Sequence, residues 1–150
     1  MNLNLLPSEQ AALVATVDPD ALTATDHTSD WVDMGKFESI LAIVLLGDLG
    51  AEAEVTAKLE QATDSDGTGA KDITGKAITT ATHSPPDSDK QMLINCRAEE
   101  LDLDNSFRYV RLSMTVATAT SDGAGLILGF NPRQLPASDN DLASVDEIVT

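Results

Sequence analysis

The polar and apolar positions along this chain alternate with a period of two far more often than they follow a helical period. In AEAEVTAKLEQ, Ala53, Val55, Ala57 and Leu59 fall on one side and Glu54, Thr56, Lys58 and Glu60 on the other, the signature of a strand with one wet face. FESILAIVLLG, Phe37 to Gly47, is apolar at both parities and β-branched in its middle, which predicts a central strand covered on both faces. QMLINCRA places Met92, Ile94, Cys96 and Ala98 together. FRYVRLSMTVATAT sets Val110, Leu112, Met114 and Val116 opposite Phe107, Tyr109, Arg111 and Ser113. GAGLILGF, ending at Phe130, reads as a closing strand flanked by loop residues.

Between these runs stand VDPD, GDLG, DSDGTG, SPPDSD, DLDNS and SDGAG. Short strands punctuated by Gly, Pro and Asp predict an all-β fold: a single antiparallel β-sandwich or jelly-roll-like domain with extended terminal arms. Residues 1–30 are expected to hold an N-terminal arm and the first strands, 31–130 the sandwich core, and 131–150 a C-terminal arm. LPSEQAALVATV admits a short helix capped by Ser8, but a strand over Ala11 to Val17 fits its pattern better. Leu142, Val145, Ile148 and Val149 are too apolar for a purely solvating tail, so the last segment is expected to dock.

Charge narrows the partners. The 150 residues carry 25 Asp plus Glu against 9 Lys plus Arg, a formal charge of −16. Such a surface repels phosphate, which argues against nucleic acid and anionic membranes as partners. Cys96 is the single cysteine, so no intrachain disulfide can form. MNLNLLPSEQ lacks the basic start and apolar core of a signal peptide, and ILAIVLL is too short to span a bilayer as a helix. A soluble protein without an export signal is expected.

One stretch suggests chemistry: DSDGTGAKDITGKAIT, Asp64 to Thr79. A phosphate-binding loop needs four residues between its first glycine and a Gly-Lys pair, then Ser or Thr. Here Gly69 and Gly75 bracket five residues, and Ala77 follows Lys76. As a calcium loop the stretch places Gly69 correctly at the sixth position, but Gly75 stands where a bidentate Glu is required. Weak calcium binding here or at DLDNS is the lesser reading. The expected role is a hairpin loop whose aspartates bond their own backbone and whose glycines take positive φ.

His27 and His83 lie in polar segments with no nucleophile-elbow sequence near either. Carboxylate pairs such as Glu99 with Glu100, or Asp18 with Asp20, arise by chance in so acidic a chain. No enzyme is expected, with no catalytic residue, metal ligand or cofactor assigned. Arg97, Arg108 and Arg111, interleaved with Phe107 and Tyr109, are expected to pair with carboxylates across the sheet or across a subunit boundary.

The segment from Asp30 to Thr79, with INCRAEELDLDNSFRYVRLSMTV after it, resembles small virion structural proteins of tailed bacteriophages. AKLEQATDSDGTGAKDITGKAIT, RAEELD and FRYVRLS carry the likeness, which runs from about Trp31 through Val149. None of these is a catalytic motif. The resemblance implies a capsid decoration, or cement, protein on the outer head surface, with the major capsid protein as partner and virion localisation. A homo-oligomer is expected, a trimer favoured. Together with the strand pattern and the apolar arms it suggests Phe107, Arg108, Tyr109, Arg111, Leu142, Val145, Ile148 and Val149 as interface residues. The alternative is a tail or head–tail accessory protein that binds a host glycan or receptor through acidic loops.

Overall fold

Ten strands make the framework of the computed structural model, which describes residues 4–150. They are β1 (Ala11–Leu22), β2 (Asp26–Thr28), β3 (Val32–Asp33), β4 (Phe37–Leu46), β5 (Glu54–Ala62), β6 (Lys71–Ala77), β7 (Ala81–Thr82), β8 (Gln91–Arg97), β9 (Tyr109–Ala117) and β10 (Ser121–Pro132). The expected arm residues 1–3 lie outside the described residues. Among the described residues no helix is long and apolar enough to cross a membrane.

The strands form two sheets, β1-β10-β4-β8 and β2-β9-β5-β6, with β3 added on β9 and β7 on β5. Every pairing is antiparallel. The pairings nest, first with last: β1 with β10, β2 with β9, β4 with β8, and the hairpin of β5 and β6 innermost. That is a hairpin folded twice across two layers, the strand order of a jelly roll. The expected all-β sandwich is what the chain forms.

The layers meet through the alternation read from the sequence. Ile40, Ala42 and Val44 of β4, Ile127 of β10 and Cys96 of β8 belong to one buried cluster with Val55, Ala57 and Leu59 of β5 and Val110, Leu112 and Met114 of β9. In β10 two glycines leave room for core side chains, Gly125 for the opposite layer and Gly129 for a ring of the neighbouring strand β4. A Cβ on Gly125 would lie 2.5 Å from Leu112 Cδ2, and one on Gly129 would lie 2.6 Å from the Phe37 ring. The glycines of SDGAG, read as loop, are therefore strand residues that leave room for the opposite layer.

Three expectations change. Both the helix and the strand of the first segment exist: Pro7–Gln10 makes one turn, and β1 follows at once. The turn is capped at Leu6, whose N–H donates to Glu9 Oε2 at 2.7 Å, while Ser8 lies inside it. β10, the closing strand of the chain, sits between β1 and β4. Finally, β4 is covered on one face only. Its inward residues are buried, whereas Leu45 is 39% exposed and Leu93, one strand away, 61% exposed.

Candidate functional site

The glycine-rich stretch is structural. Asp64 Oδ1 accepts hydrogen bonds from the N–H groups of Asp66 and Thr68, both at 3.0 Å. Bonds from Thr68 hold the Asp64 carboxyl below the usual range. Gly67, Gly69 and Gly75 take φ of +84°, +67° and +76°. The loop folds back over Trp31, close enough that a Cβ on Gly67 would lie 2.8 Å from the indole Nε1. Arg111 packs on Trp31 as well, its guanidinium carbon 4.6 Å from the ring centroid. Arg111 also reaches Glu60 at 2.8 Å, its direct partner across β5 and β9. The loop thus closes over a stacked Trp–Arg–Glu group.

Arg108 is fixed one step earlier in the chain. Its Nε and Nη2 donate to Asp33 Oδ1 and Oδ2 at 2.6 and 2.7 Å, a bidentate pair. Partial burial alone would raise the Asp33 pKa, but the Arg108 bonds and the Gly35 N–H together hold it below the ordinary value. Phe107 is 9% exposed, with Lys71 Nζ 4.2 Å from its ring centroid. Lys71 also pairs with Asp102, which accepts from Asn105 Nδ2 at 2.9 Å. The arginines expected to pair with carboxylates do so within this chain.

These groups border a groove of about 1060 Å³, lined among others by Met34, Arg97, Leu101, Phe107, Arg108 and Arg133. Three of the four arginines therefore meet at one place on an acidic protein. Arg97 reaches Glu99 at 3.3 Å, and Arg133 has no ion-pair partner among the described residues. A smaller hollow of about 600 Å³ is lined by Asp18, Asp20, Asp26, His27 and Asp30. His27 Nε2 there lies 2.9 Å from the Thr23 carbonyl. Cys96 is buried between the layers, and burial, with a smaller contribution from Glu100, pushes its thiol up to about 11.

The structure gives the eight expected interface residues several settings. Phe107 and Arg108 line the groove, Tyr109 lies beside Arg108, and Arg111 turns to Trp31. The tail group lies elsewhere. A short 3-10 turn, Ala137–Asn140, packs on β1 and buries Ala137 completely. Next, Asp141 Oδ1 accepts from Leu13 N–H and Leu142 N–H donates to the Leu13 carbonyl, at 2.7 and 2.8 Å. Leu142 is thus anchored on the edge of β1 and Val145 is half-buried, but Ile148 and Val149 are 45% and 83% exposed.

Sequence reasoning missed the outward face of the β1-β10-β4-β8 sheet. Register places Gln91, Leu45 and Ala124 in one row across it, then Leu93, Ile43, Leu126 and Thr16 in the next. Asn95, Leu41, Leu128 and Leu13 follow, and then Arg97, Ser39, Phe130 and Ala11. Carboxylates border these rows at the Ala124 end, where Asp18 Oδ1 accepts from Thr16 Oγ1 at 3.0 Å and Asp122 precedes on β10. The other sheet's outward face carries Glu54, Lys58, Glu60 and Arg111, with ion pairs across it. The signal lay in ILAIVLL, whose second apolar parity was read as covered.

No protein-family model matches the chain, and no curated protein matches it. Solved structures similar to it include one of Broad bean stain virus, at 9% identity and a TM-score of 0.46 over 90% of this chain and 91% of that one. Naturally occurring empty particles of Cowpea mosaic virus give 12% and 0.42, over 84% and 85% of the two chains. A carbohydrate-binding module specific for non-crystalline cellulose gives 11% and 0.46, over 78% and 72%. With values this low, the assignment of the fold stands on the strand order itself.

Proposed function

We propose that this chain is a structural protein of a virion, a decoration protein bound to the outer head surface of a tailed bacteriophage. The observation that carries the reading is an apolar arm left open beside a rigid body. The chain is anchored to its own sheet at Leu142, yet Ile148 and Val149 beyond it stand in solvent. An arm so placed gains by burying those residues in a neighbouring subunit.

Fold alone does not assign function, since jelly rolls serve capsids, lectins and enzymes alike. What favours the shell is the combination with the resemblance of AKLEQATDSDGTGAKDITGKAIT, RAEELD and FRYVRLS to virion proteins. The charge of −16 suits an exterior component, because it repels packaged nucleic acid and other particles. The mechanism is mechanical and involves no catalytic step. Arms and groove residues such as Phe107 and Arg108 bridge coat subunits, and binding to the assembled state stabilises that state. Repetition over the lattice multiplies a small contribution from each copy.

Mass spectrometry of separated heads and tails from the phage that encodes the chain tests this directly. The expected result is recovery with mature heads. Recovery only with tails would favour the glycan- or receptor-binding alternative, and absence from both would end the reading.

A further inference from the structure

We propose that the outward face of the β1-β10-β4-β8 sheet is the contact surface for a second copy of this chain, packed sheet to sheet across a two-fold axis. The inference uses geometry and charge alone, and it stands or falls separately from the particle reading.

Four observations lead to it. First, β4 has the composition of a doubly covered strand, but this chain covers only one side of it. Leu41, Ile43 and Leu45 all point away from the core, with Leu126, Leu128 and Leu93 beside them in register. A strand with two apolar faces is characteristic of sheets buried on both sides. The missing cover is another layer.

Second, charge selects what that layer is. Two copies at −16 each repel through almost any pair of surfaces. The four cross-strand rows contain Arg97 as their one charge, with Asp18 and Asp122 bordering them at the Ala124 end. Two such faces meet through their leucine rows, with the carboxylates held at one margin. A two-fold contact brings one patch against itself, which suits a patch uniform in apolar character.

Third, the area fits a weak, reversible pairing. Four strands about 4.8 Å apart and about seven residues long span roughly 19 by 24 Å, on the order of 450 Å² in plane. Two such faces bury about 900 Å² in total, in the range of weak, transient contacts. The contact is therefore modest in solution.

Fourth, the sides of the sheet differ. The free edge of β1 is occupied by Asp141 and Leu142, whereas β8, with Leu93 61% exposed, is an open edge of the sheet. Among the described residues, β8 pairs with β4 alone. The smallest assembly this pairing makes is a dimer, in place of the trimer favoured by the sequence.

Sedimentation velocity on the full chain, from about 1 to about 100 µM, tests the pairing. A monomer–dimer equilibrium is expected, and added sodium chloride should strengthen it because screening removes repulsion between the two acidic bodies. Leu93→Asp and, separately, Leu45→Asp should each weaken dimerisation roughly tenfold or more. Leu103→Asp, equally exposed at 58% but off this face, should leave it unchanged. Circular dichroism identifies any variant that has lost its fold, and the remaining face variant then decides. A wild-type chain that stays monomeric at high salt, a trimer, or a dimer indifferent to both face variants would overturn the proposal.

Discussion

Asp33 and Arg108, 75 residues apart in sequence, are joined by two parallel hydrogen bonds of 2.6 and 2.7 Å. The pair links β3 to the entrance of β9, where Met34 N–H also donates to the Arg108 carbonyl at 3.0 Å. It makes Arg108 a fixed part of the groove wall.

The pair should show itself in acid. The folded-state pKa of Asp33 lies below its ordinary 3.8, so its stabilising contribution is complete above that value and is lost as pH falls through the folded pKa. Asp33→Asn should therefore melt below the parent at neutral pH, with the gap narrowing in acid below about pH 4. Thermal unfolding followed by circular dichroism across pH gives the comparison.

Trp31 is the single tryptophan and reports on the 64–70 loop. Gly67→Ala puts a Cβ 2.8 Å from the indole nitrogen in a residue whose φ is +84°. The loop must shift off the ring, so the emission of Trp31 should move to the red. Gly75→Ala, which has open space around it, should leave the emission unchanged.

Close packing of the Phe37 ring of β4 over β10 predicts a larger cost. Gly129→Ala forces a methyl group to within 2.6 Å of the Phe37 ring, whose neighbours leave it 1% exposed. Overpacking of this kind costs about 1–3 kcal/mol. For a chain of this size that corresponds to a melting temperature lower by roughly 2–4 °C per kcal/mol.

Cys96 should be inert in the native protein. Its thiol is 1% exposed and its pKa is pushed up to about 11, so little thiolate is present or reachable at neutral pH. A thiol-specific chromogenic reagent should label it only as fast as the chain unfolds, and denaturant should bring the rate to that of a free cysteine.

Much of the fold was legible because alternation is local. Val55, Ala57 and Leu59 are inward and Glu54, Thr56, Lys58 and Glu60 outward, as their spacing required. The Asp64 loop was likewise legible, since an aspartate bonding its own turn and a glycine at positive φ involve only near neighbours. Pairing was not legible, because β1 with β10 joins residues more than a hundred positions apart. The same limit hid the partners of Arg108 and Arg111 and the place of β10 within its sheet. For β4 the composition was read correctly as two apolar faces, but composition does not say whether the second cover comes from the same chain.

The claim that this is a virion surface protein is tested most directly by cryo-electron microscopy of mature particles. The account predicts a two-layered β density on the outer head surface, fitted by the β1-β10-β4-β8 and β2-β9-β5-β6 sheets, with the segment around Ile148 and Val149 buried against the coat. A complete head map in which every exterior density belongs to other chains would contradict it.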